Sequence, residues 1–199
     1  FVSYNLAQSY SALGKKVILV GADLRNPQIH KFLGLKRENI GLTTYLSNEN
    51  FNDIDSLITK ASTDGGLDYL LTGAIPPNPS ELLMRPRMKE LLEVLKQSYD
   101  FIIIDSAPLL LVSDTTAILP ICDSVVYVTR SQFSEKKLFS FILDMQQREN
   151  VPPFAMVLNG MRAGANNGYN YGYKYRYSYG YTYNYGYGYG YGRDSKTES

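Results

Sequence analysis

The chain has almost none of the residues that soft metal sites and disulfide frameworks require: one cysteine, Cys122, and one histidine, His30, in 199 residues. A single cysteine closes no internal disulfide, and its apolar context suits a buried thiol in a reducing compartment. A lone histidine without a cysteine or second histidine as co-ligand points to a surface or packing role rather than to zinc. Charge of one sign is lacking too, because 20 basic residues stand against 19 acidic ones for a net charge of +1. No overall field pulls the protein toward nucleic acid or an anionic membrane, so any such contact must be local. The apolar runs over 101–104 and 108–112 are separated by Asp105 and, like every other run in the chain, fall far short of the ~20 residues that span a bilayer. The opening Phe1, Val2, Ser3, Tyr4 and Asn5 carry neither the basic region nor the apolar core of a signal peptide. Glycine-rich phosphate cradles are the last absence: there is no G-x-x-x-x-G-K-S/T segment, and no G-x-G-x-x-G follows a strand.

What is present is a repeated pairing of an unbroken apolar run with a carboxylate. Phe101, Ile102, Ile103 and Ile104 run straight into Asp105, and Val17, Ile18, Leu19 and Val20 lead through Gly21 and Ala22 to Asp23. Four apolar residues without alternation suit a strand covered on both faces, as in a parallel sheet between helices. Ligands bind just beyond the carboxyl ends of such strands. The alternative for Asp105 is a turn-starting acid, helped by Ser106 and Pro108.

The length fits one domain with a real core, and the composition shifts near Arg162. Residues 1–162 read as globular and 163–199 as a low-complexity tail. From the N-terminus, Leu6, Ala7, Tyr10 and Leu13 have helical spacing, with Gly14 suited to end the helix in a left-handed conformation. Residues 28–50 read as short helical pieces and loops, and 53–59 as a further short helix. Leu67 to Leu71 form a strand ending at Thr72 and Gly73. Asn78, Pro79 and Glu81 look like a helix start with a capping box, and the helix is expected to run to about Gln97 on a stripe of Leu82, Leu83, Met88, Leu91, Leu92 and Leu95. Ser113 caps a short helix, 124–129 is β-branched and strand-like, 134–149 is amphipathic, and 154–158 closes the sheet. Alternating strands and helices predict an α/β fold, a doubly wound parallel sheet with right-handed crossovers. The carboxyl ends then share one rim bearing Asp23, Arg25, Thr72, Asp105, Thr129, Arg130 and Asn159. Two carboxylates without histidine or cysteine suit Mg²⁺, and an arginine beside them can fork onto phosphate oxygens.

The segments 17–27, 78–82 and 101–108, in this order and ahead of a tyrosine-rich tail, resemble the cytoplasmic kinase domain of bacterial tyrosine kinases. These kinases belong to the capsular and exopolysaccharide chain-length family, relatives of the deviant Walker ATPases. The resemblance covers nearly the whole chain. It implies a P-loop NTPase-like fold, ATP and Mg²⁺ as cofactors, Asp23 and Arg25 in the family's second Walker motif, and Asp105 as the Walker B carboxylate. By the same carry-over Asp23 and Asp105 hold Mg²⁺ directly or through water, and Asn159 meets the adenine base, although an Asn-Gly pair is also simply a good turn. It further implies that the chain is the remainder of a longer kinase, since the family's first strand, phosphate loop and loop lysine would lie ahead of the first helix. The fragment by itself is then expected to bind ATP poorly. Where many relatives have Asp-x-Asp, this chain has Gly21, Ala22 and Asp23, so the general base is unassigned.

Tyrosine occupies every second position of the tail: Tyr169, Tyr171, Tyr173, Tyr175, Tyr177, Tyr179, Tyr181, Tyr183, Tyr185, Tyr187, Tyr189 and Tyr191. The interleaved glycines and the lack of aliphatics point to a disordered segment. The resemblance implies phosphoacceptors modified by a neighbouring subunit of a homo-oligomer. It also implies a polysaccharide export machine and a tyrosine phosphatase as partners, and a site at the cytoplasmic face of the bacterial inner membrane. The alternatives are an unmodified sticky tail, a partition or septum-site type ATPase switch, and a catalytically inactive interaction fragment. Lys174, Arg176 and Arg193 are few cations for binding single-stranded RNA, so no nucleic-acid partner is expected.

Overall fold

The computed structural model describes residues 1–35, 39–61, 66–109, 114–135, 138–148 and 150–161. The chain divides into two units, Phe1–Met161 and Arg162–Ser199. The second, with all twelve tail tyrosines, lies outside the described residues, as does Ser113.

Helix α1 (Val2–Ala12) ends as its glycine predicts. Gly14 has φ +76°, its N–H donates to Ser11 O and that of Lys15 donates to Tyr10 O, the paired closure that frees a helix end from unsatisfied carbonyls. Leu13 departs from its expected place on the packed face and is 74% exposed. The chain re-enters as β1 (Val17–Gly21), with all five residues buried. Ile18 and Val20 face one core cluster while Val17 and Leu19 face another, which is why this strand reads as an uninterrupted apolar run. α2 (Ile29–Phe32) and α3 (Leu42–Ser47) follow.

Two strands follow the 3-10 turn Asp55–Leu57, namely β2 (Ile58–Thr59) and β3 (Leu67–Leu70). The helix expected over 53–59 is therefore corrected to a turn and a two-residue edge strand, antiparallel to β3. The single helix expected from Pro79 is corrected as well. α4 (Pro79–Met84) stops at Arg85, which is extended at φ −64°, ψ 145°, and α5 (Pro86–Leu95) restarts on a proline. The residue before proline avoids the helical region, so the break is local, while the whole expected leucine and methionine stripe is still buried. The expected capping box is corrected: no side chain caps the backbone, and Asn78 Nδ2 instead donates to Glu81 Oε2 at 2.7 Å, side chain to side chain.

β4 (Phe101–Asp105), α6 (Asp114–Ile118), β5 (Val125–Arg130), α7 (Leu138–Gln146) and β6 (Phe154–Asn159) complete the unit. One sheet has the order β2-β3-β1-β4, with β1 parallel to both β3 and β4, and β5 pairs in parallel with β6 as a second sheet. β4 differs from expectation: it lies at the margin of the four-stranded sheet and all five of its residues are half-buried. Arg87 clamps α5 to α3. Its Nε donates to Tyr45 O at 2.9 Å, Nη1 to Glu49 O at 3.1 Å and Nη2 to Phe51 O at 2.6 Å, with the guanidinium 4.0 Å from the Tyr45 ring centre.

α3 begins where Gly41 lies against the exit of β3. Leu42 N–H donates to Leu71 O at 2.8 Å and Thr43 N–H to Thr72 O at 2.9 Å. A Cβ on Gly41 would fall 2.6 Å from Gly73 N and still closer to Leu71 O. Backbone cannot yield as a side-chain tip can. Gly41→Ala is therefore expected to cost about 1–3 kcal/mol or more of stability, read as a lower urea midpoint at unchanged m-value.

Candidate functional site

Parallel pairing places β1 and β4 side by side in register, Gly21 opposite Asp105, and Ala22 N–H donates to Asp105 O at 2.7 Å. The two acids thus leave adjacent strands at the same carboxyl edge. Each has one oxygen engaged. Asp23 Oδ1 accepts from the N–H groups of Arg25 at 3.2 Å and Asn26 at 2.9 Å, the bonds of an acid that starts a turn. Asp105 Oδ1 accepts from the Ser3 hydroxyl at 2.6 Å. Among the described residues no hydrogen bond is made to either Oδ2. None of their fully buried side-chain polar atoms lacks a partner, so Asp105 Oδ2 keeps contact with solvent.

Burial pushes the Asp105 carboxyl up from the ordinary carboxylate range, the Ser3 hydrogen bond and then the charge of the Phe1 amino group oppose that, and the charge of Asp23 adds a smaller upward push. No group of three or more histidine, cysteine, aspartate or glutamate side chains gathers among the described residues. A donor set of oxygens alone suits the chemistry of magnesium, which is commonly held by one or two carboxylates together with waters and substrate phosphates.

The rest of the expected rim divides. Arg25 is exposed and its Nη2 donates to Ser80 Oγ at 3.4 Å, reaching toward the start of α4. Thr72 and Thr129 are structural: Thr72 Oγ1 donates to Gly21 O at 2.9 Å and Thr129 Oγ1 to Val157 O at 3.2 Å. Asn159 ends β6, in the other sheet and in register with Arg130, and its Oδ1 accepts from Gly160 N–H at 2.8 Å, the turn geometry of an Asn-Gly pair. A Cβ on Gly21 would lie 2.9 Å from Thr72 Oγ1 and 3.3 Å from Thr72 N, so a larger residue there requires Thr72 to shift. Ser3 is the residue that sequence reasoning passed over. Its signal was spacing: Ser3, Ala7 and Ser11 share one helix face, Ala7 and Ser11 are buried, and a serine on a buried face needs a partner.

Two acids at the ends of neighbouring parallel strands, on a sheet with core clusters on both sides, place the chain among α/β domains with a candidate site at the carboxyl edge of the sheet. Residues 1–151 match the AAA domain family. A tyrosine-protein kinase of the cps region of Klebsiella pneumoniae, itself a provisional assignment, is 40% identical over 169 residues, covering 85% of this chain. Tyrosine-protein kinase Etk of Escherichia coli K12 is 35% identical over 170 residues, again 85% of the chain. The solved kinase domain of the E. coli enzyme superimposes with a TM-score of 0.75 at 34% identity, covering 87% of this chain and 66% of that one. A septum-site-determining protein of Pyrococcus horikoshii, at 19% identity and TM-score 0.57 over 79% of this chain and 63% of that one, shares the fold alone. The chain belongs to the AAA domain family, as a domain of the bacterial tyrosine-kinase type. It spans 23% of the length of either curated relative. No helix of the described residues is long and apolar enough to cross a membrane.

Proposed function

We propose that the chain is the nucleotide-binding kinase domain of a bacterial protein-tyrosine kinase, moving the γ-phosphoryl group of ATP to tyrosines of the 163–199 tail. The observation that carries this reading is the pair Asp23 and Asp105 at the ends of adjacent strands, each with one oxygen fixed by the protein. Bound magnesium would neutralise charge on the β and γ phosphates. Asp23 and Asp105 would hold it through their second oxygens. Arg25, two residues beyond Asp23, offers a guanidinium for phosphate oxygens, and Asn159 is the candidate contact for adenine. The acceptors are Tyr169 through Tyr191 of a second copy. The partners then include further copies of the chain, a polysaccharide export machine at the inner membrane's cytoplasmic face, and a phosphatase that resets the tail.

The test is phosphotyrosine detection after incubation with ATP and Mg²⁺, on the 199-residue chain and on the longest natural polypeptide that contains it. Tyrosine phosphate that maps to the tail supports the proposal. ATP hydrolysis without tyrosine phosphate favours an ATPase switch of the septum-site kind, and neither product from either polypeptide favours an inactive interaction fragment.

A further inference from the structure

The two acids are oriented by different means. Asp23 is held by its own following backbone, through the N–H groups of Arg25 and Asn26. Asp105 receives no backbone N–H among the described residues; its Oδ1 is held by Ser3, 102 positions away. Ser3 is not a loose surface hydroxyl. It sits in the first turn of α1, on the face that buries Ala7 and Ser11, and that helix is registered against β4 at two points. Tyr10 stacks on Phe101, with ring centres 4.1 Å apart and planes at 14°, and Ser3 meets Asp105. Seven residues of helix cover about 10 Å and four residues of strand about 13 Å, so the two contacts are geometrically compatible and mark the two ends of β4. The opposite end of the helix is locked by its glycine closure. A serine delivered by a helix fixed in this way arrives with little freedom left to lose.

We propose that Ser3 is a positioning residue for the Asp105 carboxylate: by donating to Oδ1 it holds the carboxyl plane and leaves Oδ2 as the acceptor offered to a hydrated divalent cation. The inference rests on the magnesium-site reading above and goes beyond it in naming what aims the carboxylate. Partners that aim a metal-binding carboxylate are typically worth about 10–100-fold in metal affinity or activity.

The experiment is a titration of the 199-residue chain with Mn²⁺ alone, followed by water-proton relaxation, with melting temperatures recorded alongside. Ser3→Ala is expected to weaken the Asp105-dependent Mn²⁺ site by about 10–100-fold at an unchanged melting temperature, and Ser3→Thr, which keeps the hydroxyl, to restore it. Mn²⁺ affinity in Ser3→Ala equal to that of the unchanged chain overturns the proposal. So does an equal loss in Ser3→Ala and Ser3→Thr accompanied by a lower melting temperature, since that outcome reports packing. Asp105→Asn separates this inference from the reading beneath it. If Asp105→Asn leaves Mn²⁺ binding untouched, the cation site itself is wrong and the positioning role falls with it; if Asp105→Asn abolishes binding while Ser3→Ala does not, only the positioning role is lost.

Discussion

Asp105→Asn is expected to cut tyrosine phosphorylation by about 10²–10³-fold, the equivalent of several kcal/mol of lost charge stabilisation, while leaving the protein at least as stable at neutral pH. The two effects diverge because the site and the fold want different things from this residue. Burial holds the Asp105 carboxyl above the ordinary range, so the folded state binds its proton more readily than the unfolded chain does. Its contribution to stability is then complete below the unfolded-state pKa and is lost as pH rises through the folded-state pKa. At neutral pH the fold carries a largely buried charge that works against it. Asparagine keeps an oxygen for the Ser3 hydroxyl and removes the charge. Thermal melts should show the variant ahead at neutral pH, with the gap closing as the pH falls through the carboxyl's titration range. A variant that loses both activity and stability at neutral pH would mean that Asp105 is a structural acid, and would remove the main support for the proposed site.

Replacing all twelve tail tyrosines by phenylalanine is expected to abolish nearly all phosphotyrosine while sparing nucleotide turnover and the melting transition of the Phe1–Met161 unit. Phenylalanine keeps the ring and removes only the acceptor oxygen. Each phosphate adds about −1.5 to −2 charges, so modification of half the sites would move the chain from its net +1 to roughly −8 to −11. Ion-exchange elution should shift strongly after incubation of the longest natural polypeptide that contains the chain with ATP and Mg²⁺, and should stay fixed for its phenylalanine variant. Phosphotyrosine persisting at comparable levels would place the acceptors in the globular unit, among Tyr4, Tyr10, Tyr45, Tyr69, Tyr99 and Tyr127. Tyr69 illustrates why that outcome is disfavoured: burial, reinforced by Tyr4, pushes its hydroxyl up to about 12.

The central part of the fold and the two acids were readable because their signals are local. β1 and β4 announce themselves as apolar runs ending near a carboxylate, and Gly14 closes α1 as its conformational freedom suggests. Other features depend on context beyond a short window. The leucine stripe continues across Arg85 and Pro86, so periodicity hid a break that the proline alone would have signalled. β2 has two residues, too few for any alternation to show, and it exists only because β3 offers it an edge. Ser3 could be recognised as needing a partner, but its partner lies in a strand 102 positions on, and only the register of α1 against β4 brings them together. Arg87 carries no local signal of its role, because its three carbonyl partners come from α3 and the loop after it.

The contact of Gly41 with Leu71 and Gly73, taken with the turn at Asp23, separates two kinds of tolerance within one connection. Its two ends are fastened, one by a side chain that folds back on its own backbone and the other by a fit with no spare volume. Length changes placed past the end of α2 and ahead of Gly41 should therefore pass without shifting the acids, whereas a single added methyl at the second anchor should not. A tag or spectroscopic label meant to leave the site intact belongs in that later part, beyond Arg25 and the buried Leu24 and Ile29.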